Sequence, residues 1–346
     1  SETVASAPTL SLAGGAVGGG TGSSSDTVWT YTFTPTDADE AVTIDVAAGA
    51  ITDSAGNDNT AAATQFAFTH DATKPTASAV TIAVSGSGNA NHGDVVTLTI
   101  DPSETIGAPT CTWTDGSGAM SDTSVTYATV ADTDHHTAAV TVDNADEDGT
   151  IGFSCTFSDT AGNAVAAAVT SLTSGSAITI DNTHPTISGV SAAWGTHLNA
   201  AEDNADKAIT ITTSGAEDGQ TVTTTINGVS DTCSVSSNTC DVTYAASDMA
   251  GLSSGTSYTI AVDVSDAAGN AATQNTGTSF TYDPTLPTVS SIAVTGVTSG
   301  QYGNSGSTYT VIVTASEALS AAPTLSVAGG SVGSGTGSSS DTVWTY

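Results

Sequence analysis

The amino-acid sequence predicts an all-β fold made of tandem β-sandwich domains in an end-to-end array. Apolar and polar residues alternate with period two in several segments, such as 28–33, 95–100 and 258–264, and no stretch has a helical period. Thr and Val dominate these segments, and clusters of Gly, Ser, Asn and Asp separate them about every eight to twelve residues. The same sequence also recurs at long range, which indicates that the sandwiches are repeated.

The recurrence has a long period and a short one. Residues 1–31 return as residues 316–346 at an offset of 315, and only seven of the 31 aligned pairs differ. Two shorter motifs, Asp-x-Thr-x-Pro-Thr and Asp-x-Ala-Gly-Asn, each occur three times within that period. The first motif begins at Asp71, Asp181 and Asp283, and the second begins at Asp53, Asp159 and Asp266. One long repeat therefore consists of three modules of about a hundred residues each.

The spacing of the first motif sets the predicted domain boundaries. Residues 72–181 and 182–283 are each expected to form a complete domain. Residues 1–71 are expected to form the C-terminal part of a third domain, and residues 284–346 the N-terminal part of the next copy of that domain. We therefore expect the sequence to be a window on a longer array. Modules of this length with this turn spacing predict antiparallel immunoglobulin-like sandwiches.

Composition excludes several classes of partner. The chain carries 35 acidic and two basic residues, Lys74 and Lys207, and its formal net charge is −33. Binding of nucleic acids or anionic membrane surfaces requires clustered Lys and Arg, so neither partner is expected. No apolar run approaches the roughly 20 residues that span a bilayer, so this segment is not expected to insert into a membrane.

No arrangement of residues predicts catalysis. The one Gly-x-Ser-x-Gly sequence, at 251–255, lacks the strand–turn–helix context that makes such a serine nucleophilic. Apart from the adjacent His135 and His136, the six histidines have no metal-ligand spacing with one another or with a cysteine. We therefore expect no catalytic residue and no enzyme.

Four cysteines predict two local disulfides and an oxidising, extracellular setting, with four buried free thiols as the alternative. Cys111 and Trp113 share one face of a predicted strand, and Cys155 lies on the inward face of another. Adjacent strands would bring Cys111 and Cys155 together beside the tryptophan. Cys233 and Cys240 are close enough in sequence to staple a hairpin.

The order of the motifs resembles the tandem bacterial immunoglobulin-like repeats of giant extracellular surface proteins and adhesins. Within a module, Asp-x-Thr-x-Pro-Thr is followed by Ser-Glu, as at Ser103-Glu104 and Ser316-Glu317, and then by Asp-x-Ala-Gly-Asn. The resemblance covers the whole chain and implies an extracellular or cell-surface stalk, often rigidified by calcium. The module 182–283 departs from the pattern, because it has Glu217-Asp218 in place of Ser-Glu.

Sandwich topology independently predicts calcium sites at the domain joints. The Asp-x-Ala-Gly-Asn segment falls between the last two strands, so this F–G turn should meet the linker Asp and the Glu of the B–C loop. Carboxylate, amide and carbonyl oxygens favour Ca²⁺ over transition metals. The candidate ligands are Asp71, Glu104, Asp159 and Asn163 at the first joint; Asp181, Glu217 or Asp218, Asp266 and Asn270 at the second; and Asp283 and Glu317, with Glu2, Asp53 and Asn57 as complementary groups, at the split joint. The alternative is that these residues only shape turns.

A structural role is the leading functional prediction. Near-identical copies favour a segment of a long extracellular fibre or adhesin stalk, whose partners are other copies of the same repeat. The alternative is a cell-adhesion or glycan-binding module that acts through loops or a sheet face. Two further acidic clusters, at 37–40 and 143–148, are interpreted as solvated loop charge, and the alternative is that they reach the following joint from the opposite pole.

Overall fold

The structure is a computed structural model and confirms the all-β, immunoglobulin-like fold class. It describes residues 3–23, 26–86, 88–130, 135–297, 303, 305–338 and 341–346. The chain divides into two compact units. One comprises Ser1–Thr183 with Ala267–Asn270, and the other comprises His184–Asp266 with Ala271–Tyr346.

The described part of residues 3–71 contains five short strands in two sheets. The strands are β1 (Ser11–Ala13), β2 (Gly15–Val17), β3 (Phe33–Pro35), β4 (Glu40–Asp45) and β5 (Phe66–His70). One sheet has the order β1-β4-β5, and β2 pairs with β3. The predicted strand over 28–33 is wrong for most of its length, because only Phe33 lies in a regular strand and Thr30 forms an isolated bridge to Thr21.

Residues 72–181 form a sandwich with its own buried core. Its strands are β6 (Ala77–Val84), β7 (Val95–Pro102), β8 (Thr110–Thr114), β9 (Thr126–Val130), β10 (His135–Thr141), β11 (Gly149–Thr150), β12 (Gly152–Thr156) and β13 (Thr179–Ile180). One sheet has the order β6-β7-β10-β9, and β12 pairs with β8. The alternating inward residues of these strands, including Leu98, Ile100, Trp113 and Phe153, bury each other in one cluster. This alternation is the reason that Thr- and Val-rich segments fold as strands here.

The second compact unit contains another sandwich and a three-stranded sheet. Its elements are β14 (Thr186–Ala192), β15 (His197–Asn199), β16 (Lys207–Ser214), β17 (Thr221–Ile226), β18 (Val229–Ser234), β19 (Thr239–Tyr244), α1 (Ala246–Met249), β20 (Thr256–Val264), β21 (Asn275–Asp283), β22 (Val289–Thr295), β23 (Thr310–Ala315) and β24 (Val343–Thr345). The sandwich packs the sheet β14-β16-β19 against the sheet β15-β21-β20-β17-β18. The separate sheet has the order β22-β23-β24.

All four cysteines are bonded, in the two pairs that the sequence analysis expects. Cys111 lies directly opposite Cys155 in the β8–β12 pair, with their Cα atoms 4.1 Å apart. The Cys233–Cys240 bond does not staple a two-stranded hairpin. Strand β18 pairs with β17 and strand β19 pairs with β16, so this bond joins the two sheets of the sandwich. The expectation of a hairpin was wrong because a short connection between strands can also cross from one sheet to the other.

The native protein is expected to resist trypsin completely. Lys74 precedes Pro75, and Lys207 is only 6% exposed, with its ammonium group donating a hydrogen bond to the Ala205 carbonyl at 2.7 Å. Proteolysis requires an accessible, mobile backbone, which Lys207 lacks. Gel electrophoresis should show the intact chain after native digestion and two fragments after digestion in urea with reductant. Several fragments from the native chain would contradict this.

Candidate metal centre

The linker between residues 3–71 and the next sandwich is anchored by short polar contacts. Asp71 follows β5, and its Oδ1 accepts the Thr73 backbone N–H at 3.1 Å, which forms an Asx turn. The Oγ of Ser103 accepts the Thr76 N–H at 3.0 Å, and the Ser103 N–H donates to the Thr76 carbonyl at 2.8 Å. The serine of the Ser-Glu motif thereby ties the B–C loop to the start of β6 and places Glu104 beside the linker.

The F–G turn is shaped by Asp159. Its Oδ1 accepts the backbone N–H groups of Ala161, Gly162 and Asn163 at 2.8, 2.7 and 2.8 Å. Its Oδ2 accepts Nδ2–H of Asn163 at 2.9 Å, and the same amide donates to the Asp71 carbonyl at 3.0 Å. Gly162 has a φ of +102°, which glycine adopts without strain. This motif therefore both closes a tight turn and holds the linker.

Three carboxylates converge between the linker and this turn. Asp71, Glu104 and Asp159 each offer an oxygen atom, and these oxygens lie within 4.8 Å of one another. Asp159 is 6% exposed. Oε1 of Glu104 is buried and has no hydrogen-bond partner. A buried acceptor without a donor is costly unless a cation meets it, and hard oxygen donors suit Ca²⁺.

The pKa values of Glu104 and Asp159 are shifted in opposite directions. Burial, followed by the negative charges of Asp71, Asp159 and Asp39, raises the pKa of Glu104 above its ordinary value. Burial also raises the pKa of Asp159, but the hydrogen bonds from the side chain and backbone of Asn163 and from the Gly162 and Ala161 N–H groups outweigh it and lower the pKa. The hydrogen bonds therefore favour the ionised form of Asp159, whereas the surroundings of Glu104 favour its neutral form.

The acidic loops at 37–40 and 143–148 contact the linkers, so the alternative that they reach the following joint agrees with the structure better than solvated charge does. The carboxylate of Asp39 accepts the N–H groups of Ala72 and Thr73 at 2.8 and 3.0 Å, together with the Thr73 hydroxyl. In the next domain Asp148 accepts the Asn182 N–H at 2.6 Å and the Thr183 hydroxyl. Linker N–H groups outside any strand need acceptors, and these loops supply them.

At the second joint the structure shows part of the same pattern. Nδ2–H of Asn270 donates to the Asp181 carbonyl at 2.7 Å, which repeats the contact between Asn163 and Asp71. Asp266 and Asn270 are both buried. Glu217 and Asp218 are exposed, and Oδ1 of Asp218 accepts the Ser237 N–H at 2.7 Å. Calcium ligation by these residues stays a prediction.

The residues predicted to bind calcium at the split joint lie in two separate parts of the chain, at 53–57 and at 283–317. Oδ1 of Asp283 accepts the Thr285 N–H at 3.2 Å, and Oε1 of Glu317 is buried without a hydrogen-bond partner, as in Glu104. Asp53 accepts the backbone and side-chain N–H groups of Asn57 at 2.8 Å, which lowers its pKa, in a turn that is more exposed than that of Asp159. Glu2 lies outside the described residues.

Comparisons with known proteins agree with the repeat motifs. Residues 2–70 match a family model described as a bacterial Ig-like domain, which confirms the predicted resemblance for that segment. One similar solved structure is a Ca²⁺-stabilized adhesin that helps an Antarctic bacterium bind ice, with 25% identity, 90% of this chain and 74% of that chain covered, and a TM-score of 0.45. A second is a 1.5-MDa bacterial ice-binding adhesin, with 22% identity, 74% of this chain and 80% of that chain covered, and a TM-score of 0.37. A third is a marsupial T cell receptor, with 14% identity, 68% of this chain and 80% of that chain covered, and a TM-score of 0.36. No curated protein matches the sequence. Among the described residues, no helix is long and apolar enough to cross a membrane.

Proposed function

We propose that this chain is a structural extracellular repeat, a segment of a long fibre or adhesin stalk, in which Ca²⁺ stiffens the joints between domains. The observation that carries the proposal is the convergence of three carboxylates on the linker, with the buried Oε1 of Glu104 lacking a donor. The predicted partners are other copies of the same repeat. The predicted domains 72–181 and 182–283 and the two parts of the split domain are the units that would be joined.

Each residue of the first joint has a distinct proposed role. Asp71 contributes from the linker, Glu104 from the B–C loop and Asp159 from the F–G turn, so that the ligands come from both sides of the joint. Asn163 orients the linker through its bond to the Asp71 carbonyl. When bound, the cation would neutralise carboxylates that otherwise repel each other. The ligands would then hold the neighbouring domains at one angle.

The repetition supports a stalk rather than a specialised binding module. Residues 1–31 and 316–346 are nearly identical, and the polar contacts of the linker recur at each Asp-x-Thr motif. A part that only sets length and stiffness can be repeated without a unique surface. Joints with few apolar residues depend on polar contacts for their rigidity, whereas each sandwich keeps its own apolar core.

Small-angle scattering with calcium and with chelator tests the proposal. Calcium should lengthen the average end-to-end dimension, and the β-sheet circular dichroism should stay unchanged because the sandwiches do not need the metal. Asp159→Asn should weaken calcium binding, measured by calorimetry, at least about tenfold, because it removes a ligand charge. Asp115→Asn is the matched control, since Asp115 also accepts backbone N–H groups of its own turn, from Ser117 and Gly118, and is not among the candidate ligands.

The opposite result has a clear meaning. Identical scattering with calcium and with chelator would mean that these acidic residues only shape turns and that calcium does not stiffen the joints. Equal losses of calcium affinity in Asp159→Asn and Asp115→Asn would mean that the three-carboxylate cluster is not the site.

A further inference from the structure

The two complete sandwiches, at 72–181 and 182–283, enclose very different lengths of chain within their disulfides. Cys111 and Cys155 are 44 residues apart, and their bond encloses β9, β10 and β11 with most of β8 and β12. Cys233 and Cys240 are 7 residues apart and enclose only the connection from β18 to β19. A covalent bond carries force directly, so the residues between two bonded cysteines are not extended when the ends of the domain are pulled apart.

The last strands of the two sandwiches are held by different numbers of hydrogen bonds. Strand β13 has two residues, which pair with β11, and it forms a parallel bridge with Ala90. The Ala90 N–H donates to the Thr179 carbonyl at 2.8 Å, and the Asp181 N–H donates to the Ala90 carbonyl at 2.9 Å. Ahead of β13, Thr173 adds two bonds to the backbone of Val80. Strand β21 has nine residues and pairs with β20 on one side and, in parallel over three residues, with β15 on the other.

The parallel pairs determine how a pulling force acts on these last strands. Ala90 lies early in one domain and β15 lies early in the other, and each runs parallel to the last strand of its own domain. Pulling the two ends of such a domain apart slides the paired segments past each other, so that all of their hydrogen bonds are strained at once. The force needed rises with the number of these bonds, because forced opening is governed by the unfolding rate. The sandwich at 72–181 should therefore open at a lower force than the sandwich at 182–283.

We propose that the sandwich at 72–181 is the element of the stalk that opens first under tension, and that the Cys111–Cys155 disulfide limits its extension. Tension separates β6, β7 and β13 from the segment that the disulfide encloses. About 66 residues then extend, which lengthens the chain by roughly 200 Å beyond the folded domain. The sandwich at 182–283 opens at higher force and releases about 95 residues, or roughly 300 Å. This inference rests on the proposed function, because a stalk is the setting in which the chain is under tension.

Burial protects this disulfide from reduction while the domain is closed. Cys111 is 5% exposed and Cys155 is completely buried. The core cluster that buries both cysteines includes Val80 of β6 and Leu98 and Ile100 of β7. Separation of β6 and β7 removes this cover, so a thiol reductant can reach the bond only after the domain has opened. Tension therefore controls access to the bond, and the bond in turn controls how far the domain extends.

Force-clamp spectroscopy of the full chain, attached by its two ends in chelator, tests the proposal. With dithiothreitol present, the opening of the sandwich at 72–181 should be followed by a further step of roughly 160 Å, because reduction releases the 44 residues that the bond encloses. One thiolate of the reductant attacks a cysteine sulfur and releases the other cysteine, and the second thiol then releases the first as the reductant closes to a cyclic disulfide. The further step should be absent without reductant and should precede the step of roughly 300 Å from the sandwich at 182–283.

Two double variants check the assignment of the steps. In Cys111→Ala/Cys155→Ala the opening of the sandwich at 72–181 should lengthen by about 160 Å, and dithiothreitol should add nothing to it. Cys233→Ala/Cys240→Ala is the matched control and should lengthen the other opening by only about 25 Å. A wild-type chain without the reductant-dependent step, or with that step after the step of roughly 300 Å, would overturn the proposal. Because calcium is absent throughout, such a failure would leave the scattering test of the joints untouched, so the two proposals can fail separately.

Discussion

Removing the Cys111–Cys155 disulfide is expected to lower the free energy of unfolding of its domain by about 4 kcal/mol, because the bond closes a long loop in the unfolded chain. The two cysteines are 44 residues apart in sequence. Cys233 and Cys240 are only 7 residues apart, so removal of their bond should cost about 2 kcal/mol. The double variants Cys111→Ala/Cys155→Ala and Cys233→Ala/Cys240→Ala are matched in chemistry and differ mainly in loop length.

Differential scanning calorimetry measures the two effects in one molecule. The first variant should lower the Tm of one transition by roughly 15–30 °C, as expected for such a loss in a domain of about a hundred residues. The second variant should shift a different transition by about half as much. If both variants shifted the same transition, or if the short-loop variant cost more, the domain division and the loop-closure argument would both be wrong.

Glu104→Gln is expected to have opposite effects with and without calcium. The raised pKa of Glu104 means that its charge is disfavoured in the closed joint. Without metal, the neutral amide should therefore close the joint, and scattering in chelator should show a larger average length. With metal, the loss of one ligand charge should weaken calcium binding at least about tenfold.

The same raised pKa fixes the sign of the pH dependence. A carboxyl group whose pKa is raised in the closed joint binds its proton more tightly there than in the open joint, so lowering the pH should stabilise the metal-free joint. Protons compete with calcium at Glu104, so calorimetry should show weaker calcium binding as the pH falls towards this pKa. Glu317→Gln, in the matching Ser-Glu motif, should leave the first joint unchanged. Metal-free joints that loosen on acidification would contradict the assignment.

Local pattern carried most of the fold prediction. Period-two alternation identified strands of the sandwich at 72–181. It also predicted that Cys111 and Cys155 lie on the same face of adjacent strands, where they pair directly. The alternation of apolar and polar residues could not show which neighbouring strand each segment would pair with. Residues 28–30 and 343–345 have the same sequence, yet only the second segment is a strand, because only there does β23 supply hydrogen bonds. The path of Cys233–Cys240 between two sheets was missed for the same reason.

The candidate site was predictable in its motif residues and not in its surroundings. The Asp-x-Ala-Gly-Asn turn identified Asp159 and Asn163, because the turn chemistry is local in sequence. The contacts of Asp39 could be named only as an alternative, because its partners lie 33 and 34 residues later in the chain. An Asp in the loop between β3 and β4, together with a linker hydroxyl, is the signal that could have indicated it.

The hydrogen bonds that Asp39 and Asp148 accept from the linkers have a mechanical consequence. Residues 71–73 are held by Asp39 from the preceding domain and by Asn163 from the following one, which restrains rotation at these residues. Asp39 and Asp148 each accept a hydrogen bond from the backbone N–H of the residue after the linker Asp, which is Ala72 or Asn182. At the third linker that residue is Pro284, which has no backbone N–H. In the proposed array, the Asp283-Pro284 linker should therefore be more compliant than the other two, once per 315 residues.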